Sequence, residues 1–534
     1  MRRVAVLVAA VALVTTGVQF HARAQDASPV AATPRAQCGP GSVSETGMQG
    51  RVSADDVASG RAKDGFRCNT EVVGRFGNTG GFRVHRYVDA AGHECGYYDT
   101  TPLFPTSVLA QGAELFGVYV LDMSDPAHPV KTDNLMTPAM LSPHESLSIN
   151  QERGLLAAGM GGPATMPGIV DIYDLTQDCR HPVLKSSTPF GLLGHEGAFS
   201  PDGNTFWVTS TSFGSIVALD VTDPTLPTPI WSTFEHRIHG MNISDDGNRL
   251  YGARLGGGVT DGVTIFDVSQ VQARKADPQV PVVSQVSWPN VSIPQTAIPV
   301  TISGHPYLVE VDEFAGGPVP STAPDARVGA GRIIDIADDT KPKVISEMRL
   351  EVNQPENRAQ LSGDPGMNNP VAGYAGHYCA VPQRTEPGIV ACSFILSGLR
   401  IFDIRDPLHP KELAYFNGPP TQGFTNFGAS SFAMSAPTFV PERGEVWYAD
   451  GNSGFYALRL TNDVWPFKAQ ATGQAEVLAQ TQTKPAPAPA DTGAGRLPST
   501  GGNAPWAAAA GAALTAALLT RRLSRRAAYV SLET

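Results

Sequence analysis

The chain has 534 residues, of which 39 are basic and 50 acidic, for a net charge of −11. An acidic surface repels phosphate backbones, which argues against nucleic-acid binding. Net charge by itself says nothing about fold.

In chain order, Met1-Arg2-Arg3 is a charged head, Val4 to Val18 an apolar run, and Ala22-Arg23-Ala24 an A-x-A cleavage site. This predicts a signal peptide over 1–24, with the mature protein beginning at Gln25. The apolar run is too short for a lasting span. Export suits six cysteines: Cys38, Cys68, Cys95, Cys179, Cys379 and Cys392. Their connectivity is mostly open from sequence. One pair has a local argument. Cys379 and Cys392 flank a turn-rich stretch, 383–388, between two apolar segments, and a hairpin there sets them side by side as a disulfide. The other four are expected to staple the N-terminal extension, 25–69, to the first blades. No CxxC pair is present, so a zinc–thiolate site is not expected.

From 70 to 468 the chain repeats. Six segments alternate β-branched residues, then an Asp, then a turn. They start at Gly117, Gly168, Ser215, Gly262, Gly331 and Gly398, and a seventh at Gly454 lacks the Asp. A spacing of roughly 40–50 residues with several strands per unit marks a β-propeller. The repeated acids are Asp122, Asp174, Asp220, Asp267, Asp335 and Asp403. Their expected task is to satisfy backbone donors at strand ends rather than to catalyse. Asp202-Gly203 and Asp246-Gly247 are tight hairpin turns. The fold class expected is therefore all-β, a propeller whose count fits seven four-stranded blades. Six or eight stay open, because the segment before Gly117 and the last unit are irregular. Ring closure is expected to pair a strand near Val72 to Phe76 with the last blade. The repeated Ile/Val-Asp-Val-Ser-Asp-Pro core resembles the LVIVD-repeat family of secreted bacterial proteins. That resemblance implies an architecture and only weakly an activity.

Two longer gaps, with loops over 312–325 and 351–375, are rich in Gly, Pro and Asn and are expected to be binding loops on one face. From 469 to 496 the composition turns to Ala, Gln, Thr and Pro, a wall-spanning linker or stalk that is extended where Pro-rich. The end, 497–534, reads Leu497-Pro498-Ser499-Thr500-Gly501, an apolar run from Ala504 to Leu519, and Arg521-Arg522-Leu523-Ser524-Arg525-Arg526. It resembles the LPXTG sorting signal of Gram-positive surface proteins. The resemblance implies cleavage between Thr500 and Gly501 by a sortase and attachment to peptidoglycan. The apolar run is a short hydrophobic helix, giving transient membrane association before sorting, with the Arg cluster on the cytoplasmic side. Removal of both ends leaves 32 basic and 49 acidic residues, a net of −17.

One constellation carries chemistry. The position four residues before the apolar residue of each inner strand holds Glu145, His195, His239, Ile298, His377 and Ala436 in turn. Inner strands converge on a propeller axis. Glu145, His195, His239 and His377 can therefore meet near the channel mouth, with His144 and Glu196 adjacent. Imidazoles with a carboxylate suit a single Zn, Fe or Cu ion. The same His can instead hydrogen-bond backbone and plug the channel. No Gly-x-Ser-x-Gly elbow is present, and the glycine loops do not lead a strand into a helix. The sequence thus supports an exported, wall-anchored propeller that binds an extracellular protein or glycan. The alternative is a surface metalloenzyme, an oxidase or lactonase-like hydrolase. A structural wall protein without a ligand is the third reading.

Overall fold

The computed structural model describes residues 30–100, 116–161, 167–211, 214–257, 260–316, 320–367, 372–422 and 428–467. The expected signal peptide, linker and sorting segment lie outside them. Among the described residues no helix is long and apolar enough to cross a membrane.

The body is a seven-bladed β-propeller. Each blade is an antiparallel sheet of four strands, and one blade carries a fifth. Every predicted repeat start falls on the third strand of a blade or within two residues before it, from Val118–Asp122 in blade 1 to Gly454–Leu460 in blade 7. These strands are buried without interruption up to the terminal Asp, as in Val118–Asp122 and Val170–Asp174. A middle strand packs on a neighbouring blade through both faces, so it reads as a continuous apolar run. The core lies between blades. Leu155, Ala157, Val170 and Ile172 of blade 2, for example, pack against Phe206, Val208, Val217 and Leu219 of blade 3.

The repeated acids do what turn chemistry asks. Asp122, Asp174, Asp220, Asp267, Asp335 and Asp403 each accept from the backbone N–H two residues on, at 2.8–3.0 Å. Gly203 and Gly247 take the positive φ of their turns, 66° and 75°.

The ring closes through the N-terminus. Thr70–Phe76 pairs antiparallel with Gly454–Leu460 and completes blade 7. Just before it, Phe66–Cys68 adds the fifth strand to blade 6 by pairing with Lys411–Asn417. Cys379 and Cys392 stand opposite each other in the first hairpin of blade 6 and are disulfide-bonded. The other two bridges differ from expectation. Cys38–Cys68 lies within the extension, which docks on blade 6 rather than on the first blades. Cys95–Cys179 joins blade 1 to blade 2 without involving the extension. The extension is held instead by blade 6, through Glu412 and Tyr415, and by Arg349, Glu351 and Asp364 before it, all far along the chain.

The two insertions, expected as loops on one face, carry short ordered elements. Ala315–Gly316 and Arg327–Val328 form a two-stranded ribbon, and 351–361 forms three short helical turns. Val352, Leu361 and Tyr374 are buried in a hydrophobic cluster. Buried Arg358 donates to the carbonyls of Pro324 and Asn353, both at 3.1 Å. The described parts of the two insertions thus pack on one another.

Candidate metal centre at the channel mouth

The inner strands begin side by side. Parallel bridges join Glu145 to Glu196, between blades 2 and 3, and Arg83 to Ala436, between blades 1 and 7. This brings Glu145, His195, His239 and His377 together, all at most 5 % exposed. The Nε2 atoms of His195 and His239 lie 3.0 and 3.2 Å from Glu145 Oε2. That of His377 lies 3.6 Å from Glu145 Oε1. His144 adds a fourth imidazole, its Nε2 3.9 Å from Glu145 Oε1. The remaining symmetric positions, Ile298 and Ala436, pack in an apolar cluster.

A sixth ligand-type residue comes from outside the predicted pattern. Glu313, at the end of the second strand of blade 5, places Oε2 2.8 Å from His377 Nε2 and Oε1 3.6 Å from His239 Nε2. Spacing along inner strands cannot reach it. The available signal was an acidic pair, Asp312-Glu313, closing an apolar strand rather than opening a loop.

The backbone sets the ring orientations. His239 Nδ1 donates to the Pro294 carbonyl at 2.8 Å, and His377 Nδ1 to the Met434 carbonyl at 2.6 Å. A neutral ring with its proton on Nδ1 turns the Nε2 lone pair inward, as a metal-ligating His does. Gly240 is required beside them, since a Cβ there would stand 2.0 Å from Glu196 Oε2. Beneath the cluster Arg83 ion-pairs with Glu196 and donates from Nε to the Glu145 carbonyl at 2.9 Å. Its guanidinium lies 4.4 Å over the Tyr378 ring.

Electrostatics follow from burial against neighbours. Burial lowers His239, but Glu313 and Glu145 outweigh it and raise the ring to about 9. Burial drives His144 down to about 3. Glu145 is held well below the carboxylate range despite burial, by His144, His239 and His195. Burial lifts Glu196 to about 7 against the pull of Arg83.

The donor set fits a cation. Ligand atoms about 2.0–2.1 Å from one metal stand about 3 Å from each other. The Nε2-to-carboxylate distances of His195, His239 and His377 run from 2.8 to 3.6 Å. His377 Nε2 and Glu313 Oε2 are buried and close, yet neither has a hydrogen bond of acceptable angle among the described residues. Glu145 Oε2 is in the same condition. Two non-glycine residues here take left-handed backbone, His144 at φ 51° and Phe314 at φ 52°. Each costs of order 1 kcal/mol, a strain that clusters at functional sites. A second acidic group, Asp89, His93 and Asp178, has its oxygens committed elsewhere. Arg180 takes both oxygens of Asp178 at 2.9 Å, and Asp89 accepts from the N–H groups of Ala91, His93 and Cys179.

Fold and site together define a seven-bladed propeller with a buried His/Glu cluster at its channel mouth. No protein-family model and no curated protein matches the chain. Among solved structures, Kuenenia stuttgartiensis hydrazine synthase aligns over 72% of this chain and 97% of its own, at 12% identity and TM-score 0.45. The Cps50 (Swd1) β-propeller domain of Myceliophteria thermophila aligns over 73% and 99%, at 12% identity and TM-score 0.45. The Pseudomonas aeruginosa periplasmic gluconolactonase PpgL covers 64% and 92%, at 15% identity and TM-score 0.39. At these scores the likenesses carry no argument about function, and the blade count rests on the strand pairing itself.

Proposed function

We propose that this protein holds one transition-metal cation, Zn, Fe or Cu, at the channel mouth and works as a surface metalloenzyme. The observation that carries the reading is the convergence of His195, His239 and His377 on Glu145 and Glu313, with two of the rings tied back through Nδ1. Glu145 and Glu313 supply the negative charge that a cation needs in a dry site. Bound there, the ion would polarise a substrate oxygen or activate water or oxygen. Membership of the LVIVD-repeat family, export and sortase-mediated attachment to peptidoglycan remain parts of the same proposal, supported by the motifs at 1–24, 117–460 and 497–526.

A second reading has its own support. With His239 raised to about 9, its imidazolium can pair with Glu313 and Glu145 and plug the channel without any metal. The protein would then act through its outer surfaces, binding an extracellular protein or glycan. Metal analysis of the purified protein by mass spectrometry separates the two. The metal reading expects about one ion per chain, lost in His195→Ala and in His377→Ala. No ion in the wild type, after reloading with Zn, Fe and Cu in turn, would sink it and leave the plug.

A further inference from the structure

A cavity of about 210 Å³ opens directly above the His/Glu cluster. Phe82, Leu255, Ile293 and Phe314 line it, and Thr211 is the one neutral polar residue of the described wall. The Phe82 ring sits 4.3 Å from that of His144, and Phe314 5.5 Å from His377, so the apolar walls run down to the imidazoles. Among the described residues no Lys or Arg lines the space. A sugar carries hydroxyls on every side, and above the His/Glu floor the described walls offer them only Thr211; burying a hydroxyl without a partner is unfavourable. An apolar cavity of roughly 150 Å³ takes a benzene molecule. His144 on the floor and Phe314 on one wall both take left-handed backbone, a strain the surrounding structure must hold.

We infer that the substrate of this site is a small, predominantly apolar molecule, about the size of one six-membered ring. Its single polar group rests on the His/Glu floor and its body lies against Phe82, Leu255, Ile293 and Phe314. The word substrate rests on the metal-centre reading, while the apolar site stands on the cavity alone.

Saturation-transfer NMR on the whole protein tests this, with benzyl alcohol and glucose as probes and metal content measured on the same samples. Benzyl alcohol is expected to bind saturably, and glucose at least roughly ten-fold more weakly. Leu255→Asp places a charge in the wall and Leu255→Trp fills the space. Both should abolish benzyl alcohol binding with metal content and Tm unchanged. Glucose binding as tightly as benzyl alcohol, or benzyl alcohol binding that both variants leave intact, overturns the inference. Benzyl alcohol bound by a protein without metal upholds the apolar site and removes the metal reading. Metal retained without benzyl alcohol binding does the reverse.

Discussion

His239 and His377 give their Nδ1 hydrogens to carbonyls of the following blade and turn Nε2 toward acids. His85 is a different kind of histidine. Its Nε2 meets the Leu147 carbonyl at 2.8 Å, no carboxylate pairs with it among the described residues, and burial lowers it to about 4. The folded state therefore keeps His85 neutral, while the unfolded chain protonates it near pH 6.5. Its stabilising contribution is complete above about pH 6.5 and is lost as pH falls towards about 4. Urea midpoints measured between pH 7.5 and 4.5 should fall more steeply for the wild type than for His85→Gln; equal slopes would refute this. Arg332 poses a sharper residue-scale case. It is fully buried with Glu310 and Asp312, 3.0 Å from the latter, and lies 4.1 Å from the Trp288 ring. Arg332→Met removes the cation and leaves Asp312 buried beside Glu310. The expected cost is about 3–5 kcal/mol in urea unfolding.

At the scale of elements, the third strands were the most legible. Their apolar runs and terminal Asp residues are local signals, and the Asx turns after Asp122 through Asp403 are local too. The first hairpin of blade 6 was legible for the same reason, because Cys379 and Cys392 face each other across one turn. What that hairpin does was not visible. It crosses blade 5, where Thr301 N–H donates to the Arg384 carbonyl at 2.8 Å. Arg384 then reaches blade 4, donating to the Ile243 carbonyl and to Asp245, both at 2.7 Å. Cys379→Ser with Cys392→Ser should cost about 2–4 kcal/mol in denaturant unfolding. Metal content should be unchanged, since the bridge lies below His377 in the strand. Loss of metal in the double variant would show that the hairpin positions the centre. Gly, Pro and Asn mark the insertions over 312–325 and 351–375 as loops because they report local backbone, but the burial of Arg358 and Tyr374 rests on contacts distant in sequence, which composition does not carry.

For the whole molecule, ring closure is the decisive contact. The last blade takes its fourth strand from Thr70–Phe76, and edge strands left unpaired invite aggregation. A chain beginning after Phe76 should lose cooperative unfolding and aggregate. Restoring that strand after Thr461 through a short loop should recover a single transition, read by thermal scanning and gel filtration. A truncated chain that melts like the full one would mean that closure is dispensable.

The repeat, the Asp turns, the closing strand and the ring of Glu145, His195, His239 and His377 follow from sequence alone. The repeat, the turns and the ring are short-range patterns or positions copied at one register in successive inner strands, and the closing strand follows from the need to leave no unpaired edge in the ring. Glu313, Arg83 beneath the cluster, the bridges Cys38–Cys68 and Cys95–Cys179, and the apolar cavity above the imidazoles were decided only by tertiary structure. They join residues from different strand positions, from neighbouring blades or from segments outside the repeat. A period along the sequence carries no information about such pairs until seven blades close around one axis.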